Sequence, residues 1–87
     1  MSKFCAVRDK CSGFLRWVFA GVSSQSALQT FDDLLRIDPQ GEGLEVVADR
    51  FEVIELSADQ YQRLVDAHGT DPEILEFVDR VARGEVE

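Results

Sequence analysis

The sequence predicts one α+β domain of element order ββαββαα, with a mainly antiparallel sheet of about four strands and the helices packed on one face. Three observations predict this class. The chain has 87 residues, 45% of them hydrophobic and six of them phenylalanine, which is sufficient for one modest core. Strand patterns occur in both halves of the chain, and two capped helices close it. Because no linker or low-complexity tract divides the sequence, residues 1–87 are expected to form a single domain.

The N-terminal part predicts two strands around a turn. Residues 3–8, KFCAVR, form the first strand pattern, and Gly13 marks the turn. Residues 14–22, FLRWVFAGV, are apolar at both alternating positions and rich in aromatic residues, which favours a strand buried on both faces. A helix is the alternative, because four apolar residues of this segment also keep helical spacing, namely Leu15, Val18, Phe19 and Val22.

Residues 23–38 predict the first helix. Ser23, Ser24 and Ser26 are candidates for its N-cap, and Pro39 is expected to end it. An apolar stripe at helical spacing supports this assignment and consists of Leu28, Phe31, Leu34 and Leu35.

Residues 44–55 predict a β-hairpin with Asp49 and Arg50 as its two-residue turn. In this register one face of the hairpin is largely apolar. The other face presents Glu45, Val47, Glu52 and Ile54. Glu45 and Glu52 lie diagonally across the two strands, where their repulsion costs stability unless water or a basic partner screens it.

Two helices are predicted at the C-terminal end, each with a capping box. The first begins at SADQ, residues 57–60, and Gly69 is expected to end it. The second begins at TDPE, residues 70–73, with proline in its first turn, and Gly84 is expected to end it. Both helices carry apolar residues at core spacing.

Residues 52–83, a short strand pattern followed by two helices and a glycine-containing turn, resemble a ribbon-helix-helix module. The resemblance implies a homodimer whose paired strands enter the DNA major groove. This strand carries Glu52 and Glu55, whereas the family offers basic or amide side chains there, so direct binding of nucleic acid is not expected. The resemblance leaves a homodimeric, antitoxin-like regulator as an alternative, pairing through strand 51–56 or through the long apolar strand.

The charge of the chain is −8 and is unevenly distributed. Residues 1–30 carry four basic residues against Asp9, a balance of +3, while residues 31–87 carry sixteen acids against five arginines, a balance of −11. Four of those arginines follow an acid at the favoured helical spacing, in the pairs Asp32–Arg36, Asp59–Arg63, Glu76–Arg80 and Asp79–Arg83. Six of the other acids lie between residues 38 and 55. Such a field repels phosphates and anionic membranes and attracts basic partners.

The sequence offers no recognisable catalytic or metal-binding motif. Its only histidine is His68, and its only cysteines are Cys5 and Cys11, which are expected to be reduced thiols, with a bridge across a tight hairpin as the alternative. There is no glycine-rich phosphate loop and no metal-ligand spacing. We therefore expect no enzyme activity, no cofactor and no metal. No segment contains the roughly 20 apolar residues that cross a bilayer, and a cytoplasmic protein without membrane contact is expected.

These features predict a non-enzymatic inhibitor that docks an acidic surface onto a basic site of a larger protein, such as a nucleic-acid-binding complex. Phage- and plasmid-encoded mimics of nucleic acid, which act against host defence, have this character. The expected contact residues are those of the hairpin, with carboxylates that replace phosphates and exposed apolar side chains between them: Glu45, Val47, Asp49, Glu52, Ile54 and Glu55. The homodimeric regulator is the alternative function.

Overall fold

The computed structural model describes residues 3–36 and 43–85 and confirms the α+β class. In chain order, its elements are β1 (Phe4–Asp9), β2 (Leu15–Ala20), α1 (Ser24–Leu35), α2 (Leu44–Arg50), β3 (Phe51–Leu56), α3 (Ala58–Val65) and α4 (Pro72–Ala82). The three strands form an antiparallel sheet of order β2-β1-β3. The predicted mainly antiparallel sheet is therefore confirmed, with three strands in the described part of the chain.

The central strand of the sheet is β1, which hydrogen-bonds to both neighbours and buries its middle residues completely. The aromatic segment beside it is strand β2, not a helix. It buries Leu15 on one face and Phe19 on the other, so burial on both faces is met in part. Burial is incomplete because β2 lies at the sheet edge: Trp17, on the same face as Phe19, is 40% exposed while Phe19 is 6% exposed. The pairing jumps from Val7↔Trp17 to Arg8↔Leu15, which leaves Arg16 as the extra residue of a β-bulge.

Helices pack on both faces of the sheet, not on one face as the sequence predicted. Side chains alternate between the two faces along each strand, and the middle residues of β1 are apolar on both faces. Ala6 and Ile54 face α3 and α4, in a core that includes Leu64 and Val78. On the other face, Cys5, Val7, Phe19 and Phe51 pack against α1 and α2, in a core that includes Ala27, Phe31 and Val47.

The predicted hairpin over residues 44–55 is wrong, because its first strand is helix α2. Asp49 and Arg50 offer neither glycine nor asparagine for a tight two-residue hairpin turn. Glu45 in the first turn of α2 and Arg50 in its last turn instead match the helix dipole. The helix runs directly into β3, and the observed order is ββααβαα.

The capping signals locate α3 well and α4 to within one residue. Ser57 accepts a hydrogen bond from the Gln60 N–H at 3.2 Å, and the Gln60 side chain accepts one from the Ser57 N–H at 2.8 Å. The N-cap of α4 is Asp71 rather than Thr70, because the Asp71 carboxylate accepts from the Glu73 N–H at 2.9 Å. Helix α1 ends earlier than predicted, at Leu35, and Pro39 lies outside the described residues.

Replacing Ser57 by alanine is expected to lower the free energy of unfolding by about 1 kcal/mol. The change removes the hydroxyl oxygen that accepts from the Gln60 N–H, which has no partner within helix α3. Ser23→Ala is the matched control. Ser23 occupies the N-cap of α1 but makes no side-chain cap hydrogen bond, so we expect a smaller loss. Urea unfolding measures both variants. Equal losses would contradict the role assigned to the Ser57 hydroxyl.

Candidate functional site

Two of the predicted contact residues, Val47 and Ile54, are buried and cannot contact a partner. Val47 of α2 is 0% exposed and packs in the core shared with α1. Ile54 is 6% exposed and lies on the opposite face of the sheet. The expectation that they are exposed followed from the hairpin and is wrong with it. As a helical residue, Val47 points toward Phe31 and Phe51 instead of away from the sheet.

The two acids on β3 are held by contacts within the protein. Glu52 forms an ion pair with Arg8 of β1, whose guanidinium group also lies 3.3 Å from the Asp79 carboxylate of α4. Glu55 points to the opposite face, where it accepts a hydrogen bond from the Ser24 hydroxyl at 2.8 Å. These carboxylates therefore connect β3 to β1, α4 and α1.

Glu45 and Asp49 remain exposed, one turn apart on α2. Basic groups surround the end of this helix: the Lys10 ammonium donates to the Ala48 carbonyl at 2.6 Å, and the Arg50 guanidinium lies 5.2 Å from the centroid of the Phe51 ring. The structure therefore does not bring the six predicted residues together into one acidic surface.

Of the surfaces that the structure describes, the one with the largest excess of acid is formed by α3, α4 and their flanking residues, 57–85, here called the acidic helical layer. It carries seven carboxylates against three arginines, a balance of −4 with His68 neutral. All seven acids are exposed: Asp59, Asp66, Asp71, Glu73, Glu76, Asp79 and Glu85. Two of the arginines are engaged within the layer, Arg63 over the Phe77 ring at 4.3 Å and Arg83 with Asp79 and Glu85 at 3.4 and 2.8 Å.

A second surface, the β2 groove, lies between the outer edge of β2 and the end of α3. It has a volume of about 340 Å³ and is lined by Leu15, Arg16, Trp17, Val18, Leu64, Val65, Ala67 and Gly69. Trp17 and Val65 are 40% and 41% exposed, so apolar surface borders the groove on both sides. Its strand belongs to the one long acid-free stretch of the chain, residues 10–31.

The loop after α3 closes one end of this groove. The Leu15 N–H donates to the Gly69 carbonyl at 3.1 Å, so the two backbones lie side by side. A Cβ atom at Gly69 would overlap the Leu15 carbonyl oxygen. Gly69 is therefore required for close approach to β2, and α3 itself ends four residues earlier, at Val65.

The thiols are free, as expected, and lie in different environments. Cys5 is buried and its thiol donates to the Val22 carbonyl at 3.6 Å; burial, and secondarily the charge of Glu55, raise its pKa. Cys11 is exposed in the β1–β2 turn. Hydrogen bonds from the N–H groups of Ser12 and Cys11 to the Asp9 carboxylate shape that turn and lower the pKa of Asp9.

Residues 3–36 and 43–85 contain no group of three or more histidine, cysteine, aspartate or glutamate side chains placed to hold a metal ion. Within the same ranges no helix has the length and apolarity needed to span a membrane. The described surface does carry an excess of exposed carboxylates on the acidic helical layer, and exposed apolar side chains, Trp17 and Val65, beside the β2 groove.

No protein-family model, curated protein or solved structure matches the chain. The likeness of residues 52–83 to a ribbon-helix-helix module consequently rests on element order alone. β3, α3 and α4 do follow one another in that order, but β3 pairs with β1 of the same chain.

Proposed function

We propose that the protein is a non-enzymatic interaction protein that binds a basic site of a larger protein through the acidic helical layer. The observation that carries the proposal is the excess of exposed carboxylates over arginines in residues 57–85. A site built to bind nucleic acid is the favoured target, because such sites derive much of their affinity from lysine and arginine. More specifically, the protein would act as an inhibitor that occupies this site in place of nucleic acid, as phage or plasmid anti-defence proteins do.

The carboxylates of α4 are held on a rigid support. Glu73 and Glu76 are exposed and three residues apart, so they lie on neighbouring turns of the same side of the helix. The adjoining, core-facing side of α4 is anchored by Phe77 and Val78, which are 9% and 0% exposed. Because the backbone of α4 is already ordered, binding has to order only the side chains of these glutamates, which limits the entropic cost.

The proposed surface differs from the hairpin that the sequence predicted. Glu45 and Asp49 lie on α2, which packs on the face of the sheet opposite to α4. A flat partner surface cannot contact both helices at once. The α2 pair therefore serves as an internal comparison for the acids of α4.

The first experiment captures partners from a cell lysate with the tagged protein, washed at roughly 0.1 M or roughly 0.5 M salt, which shortens the Debye length from about 10 Å to about 4 Å. We expect a nucleic-acid-binding protein that is retained at low salt and released at high salt. Recovery of no such partner, or of one whose retention is indifferent to salt, would overturn the proposal.

The second experiment compares Glu73→Gln/Glu76→Gln with Glu45→Gln/Asp49→Asn. Both double variants change the net charge by the same amount and alter only exposed residues. At about 0.2–1 kcal/mol for each exposed ion pair, the first should weaken binding of the captured partner roughly 2- to 30-fold, and the second should have a smaller effect. Equal losses would show that net charge, rather than the acidic helical layer, determines binding.

A further inference from the structure

The outer strands of the sheet are β2 and β3. In each of them, the hydrogen bonds to β1 determine which residues direct their N–H and C=O groups toward β1 and which direct them outward. The Gly21 N–H donates to the Lys3 carbonyl at 2.7 Å. In an antiparallel pair such bonds recur at every second residue, so Trp17 and Phe19 direct their N–H and C=O groups toward β1. Val18 and Ala20 therefore direct theirs away from the sheet, toward the open side of β2.

Among residues 3–36 and 43–85, the part of β2 whose outer edge is left unpaired is short and has defined ends. Gly69 occupies the edge at Leu15, and the strand ends at Ala20. The segment available for pairing is therefore 16–20, whose midpoint is Val18. A two-fold symmetric pairing that uses the whole segment must be centred on this residue.

Charge distinguishes the β2 edge from the β3 edge. β3 carries Glu52 and Glu55, so pairing of two β3 strands would bring four carboxylates to one seam, which is destabilising. The only charge on β2 is Arg16. Because each copy has a net charge of −8, the acid-free β2 edge is where two copies meet with the least repulsion.

We propose that two copies of the chain pair antiparallel through their β2 edges, around a two-fold axis at Val18. In this register, Val18 faces the second copy's Val18, Ala20 faces the second copy's Arg16, and Trp17 faces the second copy's Phe19. The two sheets become one continuous six-stranded sheet. The inference is independent of the acidic helical layer, which packs on the α3–α4 face and is not part of the seam.

The side chains on the seam suit this register. Trp17 and Phe19 already contact each other within one chain, with ring centroids 6.3 Å apart, and the pairing extends them into a four-ring cluster across the axis. The two Arg16 side chains lie at opposite ends of the seam, so they do not repel each other. The exposed part of Trp17 is covered, which explains a large aromatic residue on an otherwise open edge.

Sedimentation equilibrium of the full chain tests the association. We expect a mass twice the 9.8 kDa of one chain, and Trp17→Glu should shift it to that of the monomer. Leu34→Glu is the matched control, because it makes a similar change on α1, where Leu34 is 56% exposed and away from the seam, and it should remain dimeric. A wild-type chain that stays monomeric at every concentration, or a folded Trp17→Glu variant that stays dimeric, would overturn the proposal.

Cysteine cross-linking tests the register. In a Cys11→Ser background, a short bifunctional thiol reagent should join Val18→Cys to Val18→Cys of the second copy, because directly opposed residues of a hydrogen-bonded pair have Cα atoms about 5.5 Å apart. Ala20→Cys should not be joined in this way, since the two positions are displaced by about 13 Å along the strands. Cross-linking through position 20 but not through position 18 would rule out the axis at Val18, and cross-linking at neither position would overturn the pairing.

Discussion

Replacing Phe31 by alanine is expected to lower the free energy of unfolding by about 3–5 kcal/mol. Phe31 is 0% exposed, and its ring meets that of Phe51 edge to face, with centroids 5.0 Å apart and an interplanar angle of 67°. Val47, also 0% exposed, packs in the same core. The substitution leaves a cavity where α1, α2 and β3 meet, and these neighbours cannot all move inward to fill it.

The loss is a large part of the total, because a domain of this length is stable by roughly 4–13 kcal/mol. Urea unfolding followed by circular dichroism measures it through the shift in midpoint. Leu34→Ala is the control on the same helix; the side chain is 56% exposed, and the change should stay within about 0.5 kcal/mol. If both variants unfolded at the same urea concentration, the Phe31–Phe51 contact would not be the connection between α1 and the sheet.

The elements with local start signals were predictable from the sequence. Ser57 and Gln60 specify the beginning of α3 by themselves, since both partners of the capping box lie within one turn. The aromatic segment of β2 was ambiguous, because its apolar residues fit both periods. Its pairing with β1 settles it as a strand, and that pairing depends on residues up to 16 positions away, as in Phe4↔Ala20.

Helix α2 shows why the hairpin prediction was wrong. The segment from Leu44 to Leu56 is rich in valine and isoleucine, which favour strands, so both of its halves predict strand. Only the second half has a neighbouring strand to pair with, namely β1. The first half is helical because that conformation directs Val47 into the core beside Phe31, a contact invisible to local propensity.

The candidate site was misplaced for a related reason. Along the sequence, Arg8 belongs to a basic segment and Glu52 to an acidic one, yet the antiparallel pairing of β1 with β3 makes them directly opposed partners. Helical spacing identified the Asp79–Arg83 pair correctly, at 3.4 Å, but did not reveal that Arg8 also contacts Asp79. The charge pattern along a chain therefore predicts the sign and size of its net charge better than it predicts where a charged patch lies on the folded surface.

Replacing Gly69 by alanine is expected to lower the free energy of unfolding by about 1–3 kcal/mol, the usual range for forcing extra atoms into a packed site. The new Cβ would overlap the carbonyl oxygen of Leu15, and that oxygen belongs to a strand held by β1 on its other side. Since the nearest atoms are backbone rather than a flexible side chain, the clash is relieved only if the loop after α3 moves away from β2. The neighbouring His68→Ala is the control; His68 is exposed, so that change should stay within about 0.5 kcal/mol.

Hydrogen exchange at the Leu15 amide distinguishes loss of this contact from general destabilisation. The Leu15 N–H donates to the Gly69 carbonyl, so in Gly69→Ala it should exchange faster relative to the amides of β1, whose hydrogen bonds lie within the sheet. His68→Ala should leave the ratio unchanged. If the Leu15 amide already exchanged as fast as a free amide in the wild type, and the urea midpoint of Gly69→Ala equalled that of the wild type, the loop and β2 would not be in close contact. The edge of β2 would then be open beyond Arg16. The pairing segment would then extend to Leu15, its midpoint would no longer be Val18, and the register of the proposed dimer would have to change with it.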